Sequence, residues 1–342
     1  MITTIDDFNL LPYNTFRMNV NCSRWIEYTE ASDLPTVMTI VGQGKYKHIG
    51  AGSNLLFTGN FSGTILHSRI LDLSTDTAPN GDILLRAGAG IEMDQLIEQC
   101  CRNGIWGLEN LSGIPGEVGS AAVQNVGAYG VEAGDLIDSV EAYDCQQGQF
   151  VKLLKRDCQY AYRDSFFKHN LNRYIVTNVT FRLSNNQTPI LDYGNLNRIF
   201  ADRTDISPMD IRQTIIEIRN AKLPQVQLVG SAGSFFKNPI IDAESFENIV
   251  SLSREEHGSD YMPPHFKVDN GIKVPAAWLI DQSGMKGRQS GNASVWMNQP
   301  LVIVNSTGKA TPEEIINLEN QIITAVKNKF GITLFPEVEH IA

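Results

Sequence analysis

The chain reads as an α+β protein with more than one domain, and three observations predict it. Residues 173–183 alternate with period two, Ile175, Thr177, Val179, Phe181 and Leu183 opposing Tyr174, Val176, Asn178, Thr180 and Arg182, the mark of a strand. Residues 92–102 instead place Met93, Leu96, Ile97 and Cys100 on one helical face. Strand and helix patterns of these two kinds recur along 342 residues, more than one core usually spans.

The elements follow in order. Ser32–Asp33–Leu34–Pro35 opens a helix with a polar cap and a proline in its first turn, and Gly42 and Gly44 end it. Strands are expected at 45–49, 64–70 and 82–87, then the 92–102 helix with Gly104 at its stop. Residues 107–134 are rich in small residues and lack periodicity, which suggests a long functional loop region. Strands return at 139–143 and 173–183, and the polar stretch 184–188 breaks the pattern. A helix at 208–221 begins new material, followed by a strand at 234–237, a helix at 243–252 and a hard break at Pro263–Pro264. Residues 274–280 suit a short helix or strand, and 301–304 a strand. Thr311–Pro312–Glu313–Glu314 caps a long helix to Lys329, and 332–341 is expected as a last strand.

Composition narrows the function. A net charge of −10 argues against a nucleic-acid or anionic-membrane binder, since both need a basic face. Five cysteines without regular spacing read as free thiols in a reducing compartment. The first residues have acids and no apolar core, and no apolar run approaches the ~20 residues of a membrane span, so the cytoplasm is expected. The histidines, at 48, 67, 169, 257, 265 and 340, lack metal-site spacing, and no metal is expected.

Several glycine-rich segments carry the chemistry. Gly50–Ala51–Gly52–Ser53–Asn54–Leu55 follows a strand, where converging N–H groups suit a pyrophosphate; a tight turn explains that segment alone equally well. Residues 112–130, SGIPGEVGSAAVQNVGAYG, let a flat ligand lie on the main chain, with Gln124, Asn125 and Tyr129 to orient polar edges. Tyr162–Arg163–Asp164–Ser165 offers a cation, and Phe335–Pro336–Glu337–Val338 an acid. Gly230–Ser231–Ala232–Gly233–Ser234–Phe235–Phe236–Lys237–Asn238–Pro239 sets one hydroxyl, Ser234, where backbone crowding is least.

With AAWLIDQSGMKG at 276–287, these segments in this order resemble the UDP-N-acetylenolpyruvoylglucosamine reductase family (MurB) over nearly the whole chain. Leu191–Asp192–Tyr193–Gly194 and the stretch after it resemble the family's longer branch. The resemblance implies an FAD-binding module of the p-cresol methylhydroxylase (PCMH) type over 1–205, with α/β subdomains of about 1–70 and 71–205. A C-terminal α/β substrate-binding domain over 206–342 would follow, its last strand returning toward the flavin site. It also implies non-covalent FAD, NADPH as co-substrate, a monomer, and UDP-N-acetylglucosamine enolpyruvate as the substrate reduced to UDP-N-acetylmuramate for peptidoglycan.

By the same resemblance, Ser234 donates a proton, while Arg163 and Glu337 flank the substrate carboxylate. A guanidinium there stabilises charge that develops after hydride transfer. A glutamate helps only if protonated, or if it orients a donor, because an ionised acid would repel that charge. Implied flavin contacts are Gly50, Ala51, Gly52, Ser53, Asn54, Leu55, Ser112, Gly113, Ile114, Gly119, Ser120, Gly127 and Ala128. Implied substrate contacts are Gln124, Tyr129, Tyr162, Tyr193, Arg219, Lys222 and Asn238. The chain departs from the family pattern at Ala51, at Glu339–His340, and at Trp296, where a histidine is frequent. Two other readings remain at this stage: a flavin-linked oxidase on the same module, and a non-catalytic nucleotide-sugar sensor.

Overall fold

A computed structural model describes all 342 residues, which fall into two compact units. The first comprises Met1–Asn9, Asn21–Gly52 and Phe61–Arg219; the second comprises Leu10–Val20, Ser53–Asn60 and Asn220–Ala342. The first unit thus runs past the expected 205/206 boundary, and two early segments count with the second.

The first unit holds two sheets. One has the strand order Ile2–Asn9, Asn21–Tyr28, Phe61–Ser68, Tyr46–Ile49; the first pair is antiparallel and the other two pairs are parallel. The helix Leu34–Val41 buries Leu34, Val37 and Val41 against Ile26 and Leu66. Gly42 ends that helix at φ 60°, a left-handed conformation that glycine adopts without strain. The strand Ile2–Asn9 escapes sequence reading because it is an edge strand with six exposed residues and no apolar alternation.

The other sheet is antiparallel, in the order Gln149–Leu154, Ile137–Asp144, Tyr174–Leu183, Ile83–Gly88, Leu73–Thr77. Tyr174–Leu183 is inner and buried on both faces from Ile175 to Val179, so Asn178 and Thr177 are enclosed despite their polarity. Their side chains are satisfied, Asn178 by the Asp72 carboxylate and Thr177 by the Glu141 carbonyl. The helix Met93–Arg102 packs Met93, Leu96, Ile97 and Cys100 into this core, as its periodicity predicts. The segment expected as an extended loop contains a helix, Val118–Gln124. Small residues replace periodicity there: a Cβ on Gly119 would stand 2.8 Å from the Ala89 Cβ, so the helix seats closer than a larger residue permits.

The second unit has a four-stranded antiparallel sheet, Gly230–Ser231, Ile303–Asn305, Ala293–Val295, Gln289–Ser290, and a three-stranded one, Ile240–Ile241, Gly271–Lys273, Phe266–Val268. Its long helix Pro312–Phe330 is capped reciprocally: Thr311 Oγ1 accepts from the Glu314 N–H, and the Glu314 carboxylate accepts from the Thr311 N–H. Residues 274–280, which suit a short helix or strand, form the helix Ala276–Gln282. Two expectations are corrected here. Residues 234–237 form no strand of their own, only an antiparallel bridge between Phe236 and Pro336. The last strand is Glu339–Ile341 and not 332–341, since Pro336 has no N–H to give a ladder. That strand pairs parallel with Leu55–Phe57. All five cysteines are free thiols.

Candidate functional site

The first unit gathers most of the expected contacts. Gly50, Ala51 and Gly52 turn away from the strand Tyr46–Ile49, with Gly52 at φ 64°. A Cβ on Gly50 would lie 3.0 Å from Glu117 Oε2 and 3.2 Å from Ser120 Oγ, so this turn packs directly on the start of the Val118–Gln124 helix. Ser120 is occupied by the helix cap: its hydroxyl donates to the Glu117 carbonyl and accepts the Glu117 N–H. The Ser112 hydroxyl likewise turns inward, fully buried, and donates to Glu109 O at 2.6 Å. Ile114 packs partly buried on the core.

Gly113 is clamped. Its N–H donates to Asp94 Oδ1 at 2.6 Å and its carbonyl accepts from Arg219 Nε at 3.2 Å. Asp94 in turn takes a bidentate fork from Arg212, at 2.5 and 2.8 Å. Burial pushes the Asp94 carboxyl up, but the Arg212 fork and the Gly113 N–H outweigh it and hold the group below its ordinary range. Burial lowers the Arg219 guanidinium pKa. Tyr129, raised mainly by burial, faces Arg219 and stacks edge-on with Tyr193 at 6.1 Å. Asn110 ties this group together by donating to the carbonyls of both Tyr129 and Ile190.

Arg163 is presented by a tight turn. Ala161 and Asp164 exchange backbone hydrogen bonds, leaving Tyr162 and Arg163 at the tip, with Arg163 at φ 54°. The Arg163 guanidinium lies 5.3 Å from the Tyr162 ring centroid and donates to the Gly127 carbonyl at 2.9 Å. A Cβ on Gly127 would meet Arg163 Nη1 at 3.1 Å, so glycine makes room for the cation. Gly127 and Ala128 pair with Val131 and Glu132. Gln124 ends the helix, and its Oε1 is buried without a hydrogen-bond partner, an acceptor suited to the polar edge of a ligand.

A cavity of about 570 Å³ opens in this unit, within the size range of cofactor sites. Ala51, Arg69, Gly90, Glu92, Gln95 and Glu117 are among its lining residues. Arg69, Gly90 and Gln95 lie outside the glycine-rich segments, and sequence reasoning missed them. It also missed Asp94, Asn110 and Arg212, which act at a distance in sequence.

In the second unit, Ser234 is exposed and Phe235 beside it is fully buried. Phe235 O accepts from the Glu337 N–H at 2.8 Å, and the Lys237 N–H donates to Phe335 O at 3.0 Å. The chains bearing Ser234 and Glu337 are therefore direct neighbours. Asn54 braces the second chain: its Nδ2 donates to the Glu337 carbonyl at 3.1 Å and its own carbonyl accepts from the Glu339 N–H at 3.0 Å. Leu55, buried, pairs with Glu339, and Ser53 precedes Asn54 in the same turn. Asn238 Oδ1 accepts from the Ala276 N–H at 2.9 Å, which leaves its amide nitrogen as the group to offer a ligand. Lys222 ends the helix Pro208–Lys222, and its carbonyl accepts from Trp296 Nε1 at 3.0 Å. The indole thus caps this helix end, which gives the unusual Trp296 a physical role. His340 sits 3.2 Å from the buried Glu319 carboxylate.

A family model described as FAD binding domain matches residues 26–154, and the C-terminal domain of UDP-N-acetylenolpyruvoylglucosamine reductase matches residues 224–341. The glycine turn, the small-residue helix, the cavity and these matches define an FAD-dependent oxidoreductase with a PCMH-type module. The relatives are more specific. A UDP-N-acetylenolpyruvoylglucosamine reductase of Bacteroides fragilis is 41% identical over 340 residues, covering 98% of this chain and 99% of the relative. One of Porphyromonas gingivalis is 40% identical, with 98% of each chain covered. The crystal structure of the reductase from Thermus caldophilus overlays with a TM-score of 0.68 at 21% identity, covering 100% of this chain and 99% of that one, and supports the fold. The chain belongs to the UDP-N-acetylenolpyruvoylglucosamine reductase (MurB) family.

Proposed function

We infer that this chain reduces UDP-N-acetylglucosamine enolpyruvate to UDP-N-acetylmuramate with electrons from NADPH, a step of peptidoglycan precursor synthesis. The observation that carries the reading is full-length similarity to reductases of that name, at 41% identity, in a chain that sets Ser234 and Glu337 on adjoining backbones. When bound, FAD supplies the hydride relay between the nicotinamide and the substrate. The residues fit such a group: the Gly50–Gly52 turn packs on a helix start, and the Gln124 acceptor is buried and unsatisfied. Ala51 and Glu117 belong to the cavity, so the nucleotide part of FAD is assigned there.

On this reading Arg163 holds the substrate carboxylate and stabilises the charge that grows on it. Its fixed position on the Gly127 carbonyl supports this role, since a preorganised cation needs no reorientation during reaction. Ser234 gives its hydroxyl proton to the neighbouring carbon, and Glu337 contributes as a protonated acid or by orienting a donor. Tyr129, Tyr162, Tyr193, Arg219, Lys222, Gln124 and Asn238 serve the nucleotide sugar. Arg219 and Lys222, three residues apart near one helix end, are the cations assigned to the diphosphate. No helix is long and apolar enough to cross a membrane. A cytoplasmic monomer is the reading that membership of the reductase family suggests.

The test is spectroscopic. Purified protein should be yellow and release all its colour on acid precipitation. Anaerobic NADPH should bleach it, and the enolpyruvyl sugar nucleotide should restore the spectrum. A colourless protein, or one reoxidised by oxygen and not by the sugar nucleotide, overturns the reading.

A further inference from the structure

Beneath the Gly50 turn lies a cluster that the reaction does not use. His67, on the strand Phe61–Ser68, is 2% exposed. Its Nδ1 stands 3.1 Å from Glu27 Oε2 and its Nε2 stands 2.9 Å from Glu117 Oε1. A neutral imidazole has one N–H and one lone pair, so it can satisfy only one of two carboxylates; an imidazolium satisfies both. Glu117 is also the residue preceding the Val118–Gln124 helix, and its other oxygen lies 3.0 Å from where a Cβ on Gly50 would be. Glu117 therefore joins the histidine to the two backbone segments expected to cradle the cofactor.

We propose that Glu27, His67 and Glu117 form a buried acid–imidazolium–acid brace that positions the Gly50 turn and the start of the Val118–Gln124 helix, so that FAD is held most tightly while His67 carries both protons. The proposal rests on the flavin reading above. Glu27 and His67 are positioning residues, acting through Glu117, which itself lines the cavity, and through the backbone that Glu117 seats. With Glu27 keeping a proton on Nδ1, the proton lost is that on Nε2; its lone pair then faces the Glu117 carboxylate at 2.9 Å, and that repulsion drives the Glu117 side chain off its seat against Gly50.

The surroundings favour the charged form. Burial alone would lower the His67 pKa, but the bonds to Glu117 and Glu27 outweigh it and raise the pKa above its ordinary value. From Asn21–Tyr28, Trp25 packs its ring 5.1 Å away and Tyr28 donates or accepts at His48. From Tyr46–Ile49, His48 is pushed down to about 3 by burial first and by the His67 charge second, so it adds no competing charge at neutral pH, and Lys47 lies on the same strand. From the cofactor side, Glu92 is bridged to Glu117 along the backbone, and Arg69 shares the cavity wall with both. Glu27 and Glu117 are the two carboxylates bonded to the ring.

The test uses the holoenzyme labelled with ¹⁵N-histidine. Both ring nitrogens of His67 should report as protonated at pH 7, with a midpoint above the ordinary histidine value of about 6.5. FAD release on dilution, followed by flavin fluorescence, should give a Kd that weakens about tenfold as pH rises through that same midpoint, a change of about 1.4 kcal/mol. Glu27→Gln and Glu117→Gln should each flatten that pH profile. Glu27 stands on the side of the ring away from Gly50, so its variant remains readable even if Glu117→Gln loses flavin entirely. A neutral His67 tautomer at pH 7, or the same pH profile in wild type and Glu27→Gln, overturns the brace. A protein that retains no flavin at any pH overturns the functional reading instead, while the nitrogen spectrum still decides the protonation of His67.

Discussion

Replacing Arg212 by Met tests how firmly the Gly113 clamp is built. Arg212 is 6% exposed and forks onto Asp94 through Nη1 and Nη2, and Asp94 also holds the Gly113 N–H. Methionine keeps most of the apolar stem but leaves the carboxylate without its cation. Breaking a buried ion pair on one side costs about 3–5 kcal/mol. The Asp94 side chain is 27% exposed and keeps its backbone donor, so water and that N–H recover part of the loss. A cost of about 2–3 kcal/mol is expected, or a fall in Tm of about 4–12 °C for a unit of this size. Urea unfolding followed by far-UV circular dichroism measures it. Asp94→Asn placed on top of Arg212→Met should recover more than half, because the orphaned charge is then gone. The sign with pH is fixed: a carboxyl whose folded pKa is depressed stabilises above its unfolded value of about 3.9 and ceases to do so as pH falls through the folded value. The gap between wild type and Arg212→Met should therefore close in acid. A cost below about 0.5 kcal/mol at pH 7, the level of an exposed pair, refutes the assignment.

Ser234→Ala should leave bleaching by NADPH intact and slow reoxidation by the sugar nucleotide at least about 100-fold, the usual span of a positioned proton donor; stopped flow reads both phases, and normal reoxidation removes Ser234 from the mechanism. If Glu337 acts as a neutral acid, Glu337→Gln should keep nearly full single-turnover reduction while Glu337→Ala loses it; equal losses argue for an ionised carboxylate. Trp296→Phe removes the N–H bonded to Lys222 O, so KM for the sugar nucleotide should rise several-fold with kcat little changed, and an unchanged KM separates the indole from Lys222 positioning.

Some of this design was open to reading in the sequence and some was not. The helices Met93–Arg102 and Pro312–Phe330 announce themselves through periodicity and a capping box, which are local physics. The glycine-rich segments are legible because a side chain has no room there, as at Gly50, Gly119 and Gly127. Strands such as Leu73–Thr77 are invisible, because all five residues are exposed and edge pairing is backbone chemistry. The helix Val118–Gln124 hid for the opposite reason: Gly, Ser and Ala leave no apolar stripe to detect. Asp94, Arg212 and His67 act through partners between 19 and 118 positions away, and no local pattern encodes such pairings.

The parallel union of Leu55–Phe57 with Glu339–Ile341 joins two short strands that lie far apart in sequence. During synthesis the early strand emerges long before its mate exists. Asn54 cannot fasten the Glu337 backbone, nor Thr58 the Ile341 carbonyl, until a partner 283 positions further on has been made. So distant a closure is slow. Everything between the two strands must be drawn in before they can meet, so the backbone that carries Glu337 is set late in folding, after the local helices and hairpins have formed.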